Sequence, residues 1–222
     1  MRKLNFDLAA LKSVLYSAVI SDVLDDHGMP NQAMAPFVRP LDESQKLIGY
    51  ARTGSFMNTY SVRDGENPYE VEIELIDDLK ADDIAVLGCA GPTTRIAPWG
   101  ELLTTASIKR GAVGCVTDGL VRDVLHIRKL GFPVFHGGIG PLDSRGRGKM
   151  MARDIPIDCG GVRVVPGDLI FGDVDGVVVV PQDIAEKVVA GALEKVNSEN
   201  KTREELENGL LLGEVYAKYG VL

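Results

Sequence analysis

Two short segments of the chain contain residue types that could hold and activate an anionic substrate. The first is residues 98–103, PWGELL, where Gly100 leads into a segment with helical character. The first turn of a helix leaves several backbone N–H groups unpaired, and the helix dipole adds positive potential there. Such an end binds a carboxylate or phosphate well. The alternative is that Gly100 is only a turn residue and Glu101 only an acidic residue suited to a first turn.

The second segment is residues 118–123, DGLVRD, which follows the apolar run 112–117. Arginine can grip a planar carboxylate through two parallel hydrogen bonds. The adjacent carboxylate of Asp123 could hold a divalent cation. The alternative is that Asp123 caps the following helix and Arg122 forms an ordinary salt bridge. Because both segments lie at loop-to-helix junctions, we expect them to meet at one edge of the core.

The histidines bear on the type of metal that the chain could bind. His27, His126 and His136 are the only three, and their spacing matches neither H-x-H nor H-E-x-x-H. A zinc site built on imidazoles is therefore not expected. Mg²⁺ commonly takes one or two carboxylates and fills its other positions with water and substrate oxygens. Asp123 together with a substrate that chelates through its oxygens would meet that pattern.

The composition indicates an ordinary globular protein. The chain has 222 residues, 45% of them hydrophobic, and a net charge of -8 that argues against a nucleic-acid partner. No apolar run reaches the roughly 18 residues that span a bilayer. The cysteines, Cys89, Cys115 and Cys159, lack paired spacing and are expected to be buried free thiols. We therefore expect a cytoplasmic protein without a membrane partner.

The pattern of apolar residues predicts a strand-rich core with helices between some strands and at both ends. Residues 7–28 are predicted to form one helix, residues 69–77 a weak helix, and residues 34–54 an irregular region with short extended pieces. Further helices are predicted at 102–110, 122–130 and 183–207. Short buried strands are predicted at 84–87, 112–117, 134–135, 162–165, 169–171 and 177–180. The irregular order disfavours a doubly wound nucleotide-binding sheet.

Residues 143–149 are the only segment that resembles a linker. Arg145, Arg147 and Lys149 within it are most simply solvated. The neighbouring glycines leave open a second interpretation, in which this segment is a mobile lid that contacts a substrate's far carboxylate.

Taken together, these motifs resemble the RraA-like superfamily, and within it the 4-hydroxy-4-methyl-2-oxoglutarate / 4-carboxy-4-hydroxy-2-oxoadipate aldolases. The resemblance covers roughly residues 10–210. The matching residues are Trp99-Gly100-Glu101-Leu102-Leu103, Arg110-Gly111, Gly114, Asp118-Gly119, Arg122-Asp123, Cys159-Gly160-Gly161-Val162, Pro166-Gly167-Asp168, Gly172-Asp173, Asp175-Gly176-Val177 and Pro181.

The resemblance implies an α/β fold, with an αββα sandwich or β-barrel-like core and flanking terminal helices. It further implies one domain over residues 1–222, with the core at about 30–182, an N-terminal helix at 7–28 and a C-terminal helical extension at 183–222. Homotrimers or homohexamers, with active sites between subunits, are also implied.

The resemblance assigns the substrate to the first segment and to Arg122. The backbone of Gly100, Glu101, Leu102 and Leu103 would cradle the pyruvyl carboxylate. Arg122 would bind the keto acid and stabilise the enolate oxygen.

The resemblance also assigns the metal and the proton. Asp123 would hold Mg²⁺ or Mn²⁺, mostly through water, and Glu199 would reach the metal-bound water of a neighbouring subunit. Glu101 would order a catalytic water, at a position where the aldolases carry aspartate. These roles describe a class II lyase that cleaves 4-hydroxy-2-keto acids to pyruvate, with oxaloacetate decarboxylation as a second activity.

Two other functions occur among proteins of this kind. One is a non-catalytic regulator that binds an RNA-degrading endonuclease, for which we expect a shorter chain. The other is a quinone-precursor methyltransferase, which needs a glycine-rich loop after a first parallel strand that the sequence lacks. For an aldolase, keto acids derived from sugar acids and intermediates of aromatic degradation are equally compatible with the sequence.

Overall fold

The computed structural model describes residues 4–91 and 93–220, so the extreme ends of the predicted domain 1–222 lie outside the described residues. The helices are α1 (Leu8–Val14), α2 (Ser17–Asp26), α3 (Glu70–Asp77), α4 (Glu101–Arg110), α5 (Val124–Leu130), α6 (Ala185–Glu207) and α7 (Leu212–Tyr219). The strands are β1 (Arg39–Pro40), β2 (Leu47–Asn58), β3 (Asp83–Gly88), β4 (Gly114–Thr117), β5 (Leu120–Val121), β6 (Val134–His136), β7 (Gly138–Ile139), β8 (Gly148–Arg153), β9 (Ile157–Cys159), β10 (Val162–Val164), β11 (Leu169–Asp173) and β12 (Gly176–Val180).

One sheet of eight strands organises the molecule, in the order β1-β6-β4-β3-β2-β11-β12, with β8 paired to β2. The neighbours β2, β3, β4 and β6 run parallel, whereas β11 and β8 run antiparallel to β2. The two ends of the sheet approach each other, because Arg39 on β1 donates to the carbonyls of Val174 and Asp175 between β11 and β12. The predicted barrel-like α/β core with flanking helices is therefore confirmed.

The predicted helix over 7–28 is wrong in one respect, because the chain leaves the helical conformation at Leu15 and Tyr16. The break has a long-range cause. The backbone N–H of Ser17, which would bond within a continuous helix, donates instead to Asp173 Oδ2 at 2.8 Å, and the Ser17 hydroxyl donates to Asp173 Oδ1 at 2.6 Å. Two helices result, and Leu15 is fully buried between them.

The prediction of an irregular region at 34–54 is wrong for its second half, which belongs to the long strand β2. This strand is central to the sheet and buried along most of its length, so it lacks the alternation that marks a half-exposed strand. Its glycines are required by close neighbours: a Cβ on Gly49 would lie 2.4 Å from the carbonyl oxygen of Asp82. Glycine inside a strand therefore marks close packing here, and not a loop.

The remaining predicted elements agree with the structure to within a few residues. The predicted helix at 69–77 is α3, and the predicted helix at 183–207 is α6, whose apolar face includes the buried residues Val188, Ala192 and Val196. The short strands predicted from glycine-punctuated apolar runs all form. Among the described residues, no helix is both long enough and apolar enough to cross a membrane.

Candidate active site

The two predicted junctions lie side by side, and backbone contacts hold them together. Trp99 forms an isolated parallel bridge with Val121, and the backbone N–H of Arg122 donates to the carbonyl of Trp99 at 3.0 Å. The fully buried indole of Trp99 donates to the Thr104 hydroxyl at 2.8 Å, which fixes the first turn of α4. The expectation that both segments meet at one edge of the core is confirmed.

Gly100 occupies the N-cap position of α4, in an extended conformation that does not itself require glycine. Glycine is required there by the approach of the second junction. A Cβ at this position would lie 2.7 Å from Asp123 Oδ2 and 3.2 Å from Arg122 Nε. The missing side chain therefore lets a carboxylate and a guanidinium reach the start of the helix.

Asp123 has a left-handed backbone conformation, with φ 58°, at the N-cap position of α5. Its side chain makes no capping hydrogen bond to α5. Instead, Oδ2 accepts from the backbone N–H of Glu101 at 3.2 Å. The alternative in which Asp123 caps its own helix is therefore wrong. A non-glycine residue in this conformation is uncommon, and such strain is often found at functional sites.

Arg122 carries the positive charge of the site. Its Nε lies 3.8 Å from Asp123 Oδ2, and one terminal nitrogen lies 3.6 Å from Asp143 Oδ1. Both contacts are ion pairs longer than a hydrogen bond, and the side chain is 37% exposed. Such partly exposed pairs contribute little to stability. The guanidinium N–H groups thus remain available to a ligand.

A cavity of about 310 Å³ opens where the junctions meet α3 and the segment at residues 143 and 144. Its walls are apolar except for a few charged and hydroxyl groups. It is lined by Tyr69, Glu72, Ile73, Ala97, Pro98, Trp99, Gly100, Leu102, Leu103, Arg122, Asp123, Asp143 and Ser144. The predicted substrate-binding residues Gly100, Leu102, Leu103 and Arg122 are thereby brought together with the predicted metal ligand Asp123.

Sequence reasoning missed one wall of this cavity. Asp143 lies in the segment that was predicted to be a linker, yet it accepts a hydrogen bond from the Tyr69 hydroxyl at 2.5 Å. Burial and this bond raise the pKa of Tyr69 to about 12. The linker interpretation is wrong here, because Ser144 is buried and β8 begins at Gly148.

Glu72 was also missed, although it lies on the buried face of α3. Only 6% of this residue is exposed. Burial, and then the nearby charge of Asp143, raise the pKa of the Glu72 carboxyl to about 8, while Arg122 acts in the opposite direction. A signal was present in the sequence, because Leu75 and Ile76 follow at the spacing of one helical face.

Glu101 is the first residue of α4, and its carboxylate lies against the next turn of the helix. Oε1 accepts from the Thr105 hydroxyl at 2.8 Å, and the side chain is not part of the cavity lining. A water held by Glu101 would have to bridge to the cavity from this position. Its predicted role in proton transfer stays a prediction.

Glu199 lies on α6, where it accepts a hydrogen bond from the Tyr16 hydroxyl. Burial raises the pKa of its carboxyl, and Arg203 acts in the opposite direction. Glu199 does not line the cavity of its own chain. Its predicted contact with a metal belongs to a neighbouring subunit, so it stays a prediction.

The residues of the cavity fit a hard divalent cation held mainly through water. In residues 4–91 and 93–220, no group of three or more His, Cys, Asp or Glu side chains is arranged to enclose a metal. The Asp123 carboxylate is 45% exposed at the cavity, and a single carboxylate with waters and substrate oxygens suits Mg²⁺ or Mn²⁺. Asp123 would be the residue that holds it.

The cysteines offer no alternative chemistry. All three are free, and Cys115 and Cys159 are fully buried. Burial raises the pKa of each of the three thiols, which suppresses the reactive thiolate. The prediction of unpaired thiols is confirmed, although Cys89 is only partly buried.

The chain is similar to known proteins along most of its length. The family model RraA-like, described as Aldolase/RraA, matches residues 17–179. A protein of Halalkalibacterium halodurans, provisionally named a 4-hydroxy-4-methyl-2-oxoglutarate aldolase, is 32% identical over 92% of this chain and 90% of that protein.

Solved structures have the same fold. Streptomyces coelicolor RraAS2, titled an unusual member of the RNase ES inhibitor RraA protein family, has a TM-score of 0.81 at 27% identity, over 91% of this chain and 100% of that one. An uncharacterized Pseudomonas syringae protein has a TM-score of 0.83 at 24% identity, over 97% and 99% of the two chains. On the match over residues 17–179 and the full-length relatives, the chain belongs to the RraA-like family, and its resemblance is to the aldolase type.

Proposed function

We propose that this protein is a divalent-metal-dependent (class II) aldolase that cleaves 4-hydroxy-2-keto acids to pyruvate. Oxaloacetate decarboxylation is its second activity, and the working form is a cytoplasmic homotrimer or homohexamer. One observation carries the proposal: the start of α4 and the Arg122-Asp123 pair line the same cavity. The relative from Halalkalibacterium halodurans, with its aldolase name, supports the same reading.

The start of α4 would hold the carboxylate of the keto acid. The backbone N–H of Glu101 already donates to Asp123, and that of Thr104 to the carbonyl of Gly100. The N–H groups of Leu102 and Leu103 remain at the open end of the helix, where the dipole also favours an anion. Both residues line the cavity, so a carboxylate bound there would lie beside Arg122.

Cleavage requires negative charge to develop on the 2-keto oxygen. A bound Mg²⁺ or Mn²⁺ would act as a Lewis acid toward that oxygen. Arg122 provides a fixed positive charge beside the same position, which stabilises the enolate more than the ketone. The guanidinium already lies at the cavity beside Asp123 and Asp143, so little reorganisation is needed.

The reaction removes one proton from the 4-hydroxyl group and adds one proton at C3. The 4-hydroxyl group loses its proton to a base, its oxygen forms the aldehyde or ketone carbonyl, and the bond between C3 and C4 breaks. The electron pair of that bond forms the pyruvate enolate, which then gains a proton at C3. Glu101 would order the water that accepts the hydroxyl proton. Decarboxylation of oxaloacetate forms the same enolate, with carbon dioxide as the leaving group.

The proposal is tested by Arg122→Ala and Asp123→Ala, with pyruvate release from 4-hydroxy-2-keto acids and from oxaloacetate as the readout. Each variant should lose about 10²-fold or more in kcat/KM, because charge stabilisation of the enolate is removed. The chain offers a matched control in Arg63 and Asp64, an adjacent Arg-Asp pair that is exposed and outside the cavity lining. Arg63→Ala and Asp64→Ala should leave the rate unchanged. A wild-type rate in either cavity variant would contradict the site assignment.

A regulator of an RNA-degrading endonuclease is the second candidate, because one similar structure bears that family title. Chain length alone does not exclude the regulator, since that structure is matched over its whole length by 91% of this chain. Direct binding does separate them. If the protein retains an endonuclease on an affinity column and releases no pyruvate with Mg²⁺ or Mn²⁺, the regulator is correct.

A further inference from the structure

The wall of the cavity formed by α3 and residue 143 carries hydrogen-bond acceptors. Glu72 lines the cavity, yet only 6% of it is exposed. Within residues 4–91 and 93–220, its carboxyl group has no hydrogen-bond or ion-pair partner. The carboxyl group is poorly solvated at the cavity wall, and a ligand that enters the cavity can supply the hydrogen bond it lacks.

The neighbours of Glu72 present hydrogen-bond acceptors to the cavity. The Tyr69 hydroxyl gives its proton to Asp143, so its oxygen is left with lone pairs only. The Asp143 carboxylate accepts that proton and faces Arg122 at 3.6 Å. We call Tyr69, Glu72 and Asp143 the acceptor wall. Such a wall pairs with groups that donate, and hydroxyl groups are the donors that a small oxygenated metabolite carries.

The charges that line the cavity also favour a ligand whose far end carries hydroxyl groups. Of the described residues that line it, Arg122 is the only base, whereas Glu72, Asp123 and Asp143 are acids. Arg122 is needed at the 2-keto acid end of the substrate. A second carboxylate at the far end would therefore meet Glu72 and Asp143 in the cavity lining, and like charges in a partly dry cavity repel.

The basic residues of the neighbouring segment do not line the cavity. Lys149 is 2.5 Å from Glu66 and forms an ion pair with it. Arg147 is exposed and donates to the backbone carbonyl of Asp143. Arg145 is exposed and outside the cavity lining, although its charge is near enough to oppose the rise in the pKa of Tyr69. The interpretation of this segment as a mobile lid that contacts a far carboxylate stays a prediction.

We propose that the cavity selects 4-hydroxy-2-keto acids whose far end is uncharged and hydroxylated over those that end in a second carboxylate, and that Glu72 determines this specificity. The inference rests on the aldolase function proposed above and narrows its substrate class. A hydroxyl group both donates and accepts, so it pairs with the Glu72 carboxyl whether that group is protonated or not. A carboxylate can pair with it only by sharing a proton.

Two substrates of equal carbon number provide the sharpest probe. Cleavage of 4,5-dihydroxy-2-oxopentanoate breaks C3–C4 and gives pyruvate and glycolaldehyde. Cleavage of 4-hydroxy-2-oxoglutarate breaks the same bond and gives pyruvate and glyoxylate. The two differ only in a CH₂OH or a carboxylate at C5, so the ratio of their kcat/KM values isolates recognition of the far end.

The experiment compares this ratio in the wild-type protein, Glu72→Gln and Glu70→Gln, with pyruvate as the readout. The wild-type ratio should favour the hydroxylated substrate by roughly tenfold or more, and Glu72→Gln should move it toward the dicarboxylate by about tenfold, because the amide brings N–H donors. Glu70 is exposed on the same helix, so Glu70→Gln should leave the ratio unchanged.

Each other outcome has a definite meaning. A wild-type preference for the dicarboxylate, or an unchanged ratio in Glu72→Gln, overturns the specificity proposal while the aldolase function stands. No pyruvate from either substrate, with either metal, overturns the aldolase function itself. Thermal unfolding of each variant at pH 7 shows whether it is folded, and a Glu72→Leu variant that unfolds normally repeats the test with the acceptor removed.

Discussion

Two regions of this molecule bury an acidic side chain to nearly the same extent, but they differ in the hydrogen bonds that they give it. At the junction of β11 and α2, Asp173 is 4% exposed and accepts hydrogen bonds from the Ser17 backbone, the Ser17 hydroxyl and the Asp175 backbone. In the cavity, Glu72 is 6% exposed, and no described residue bonds to it. The first carboxylate is part of the framework, and the second is free to meet a ligand.

The comparison separates structural from functional acids by their partners and not by their burial. A carboxylate that accepts several N–H and O–H bonds fixes the elements that donate to it. A buried carboxyl without partners destabilises the empty protein when it ionises. A protein retains such a destabilising group where the group serves binding.

The largest predicted effect is on the pH dependence of stability at Glu72. Its pKa is about 8 in the folded protein, against 4.5 for an unburied glutamate, so the folded state holds the proton more tightly. Stability is therefore lost as pH rises from about 4.5 through about 8. Glu72→Gln cannot ionise and should escape this loss, so at pH 9 it should be more stable than the wild type by roughly 3–5 kcal/mol.

Urea unfolding at pH 5 and pH 9, with a chelator present to exclude metal binding, measures this difference. The two proteins should be nearly equal at pH 5. A Glu72→Gln variant with the wild-type pH dependence would show that Glu72 is hydrated or paired in solution, and the contrast with Asp173 would be lost.

The second prediction concerns Asp173. Replacing this acid by its amide should lower the free energy of unfolding, whereas the same replacement at Glu72 should raise it at pH 9. Asp173→Asn replaces a carboxylate oxygen by an NH₂ group that cannot accept a bond from Ser17 or Asp175. Stability at pH 7 should fall by about 2–3 kcal/mol, since buried donors lose their partner. Urea unfolding again provides the measurement, with Asp183→Asn, outside this junction, as the control. A loss below about 0.5 kcal/mol would contradict the structural role.

Much of the fold follows from local patterns in the sequence, and the exceptions have long-range causes. The α6 stripe is visible because Val188, Ala192 and Val196 repeat at helical spacing. The break at Leu15 is not visible, because Leu15 fits the spacing of a continuous helix. The break depends on Asp173, which is 156 residues from Ser17. The central strand β2 was missed because it is buried on both faces and contains glycine at tight contacts.

The candidate site also has one part that follows from local sequence and one part that depends on long-range contacts. Arg122 and Asp123 are adjacent in sequence and follow a strand, so their place at the site could be predicted before the fold was known. The acceptor wall could not be predicted, because Tyr69 and Asp143 are 74 residues apart and meet only in the folded chain. Residue type alone gave no reason to prefer Glu72 over Glu70 or Glu74. The helical spacing of Glu72 to Leu75 and Ile76 is the signal that places it on the buried face.

Pyruvate release during a metal titration tests most directly whether the two junctions form one metal-assisted site. The protein is treated with a chelator, and Mg²⁺ or Mn²⁺ is then added in the presence of 4,5-dihydroxy-2-oxopentanoate. We expect no release before the metal is added, a saturable rise in rate as metal is added to the wild type and to Asp64→Ala, and no rise in Asp123→Ala. Equal pyruvate release with and without the metal, or a normal titration in Asp123→Ala, would contradict the account.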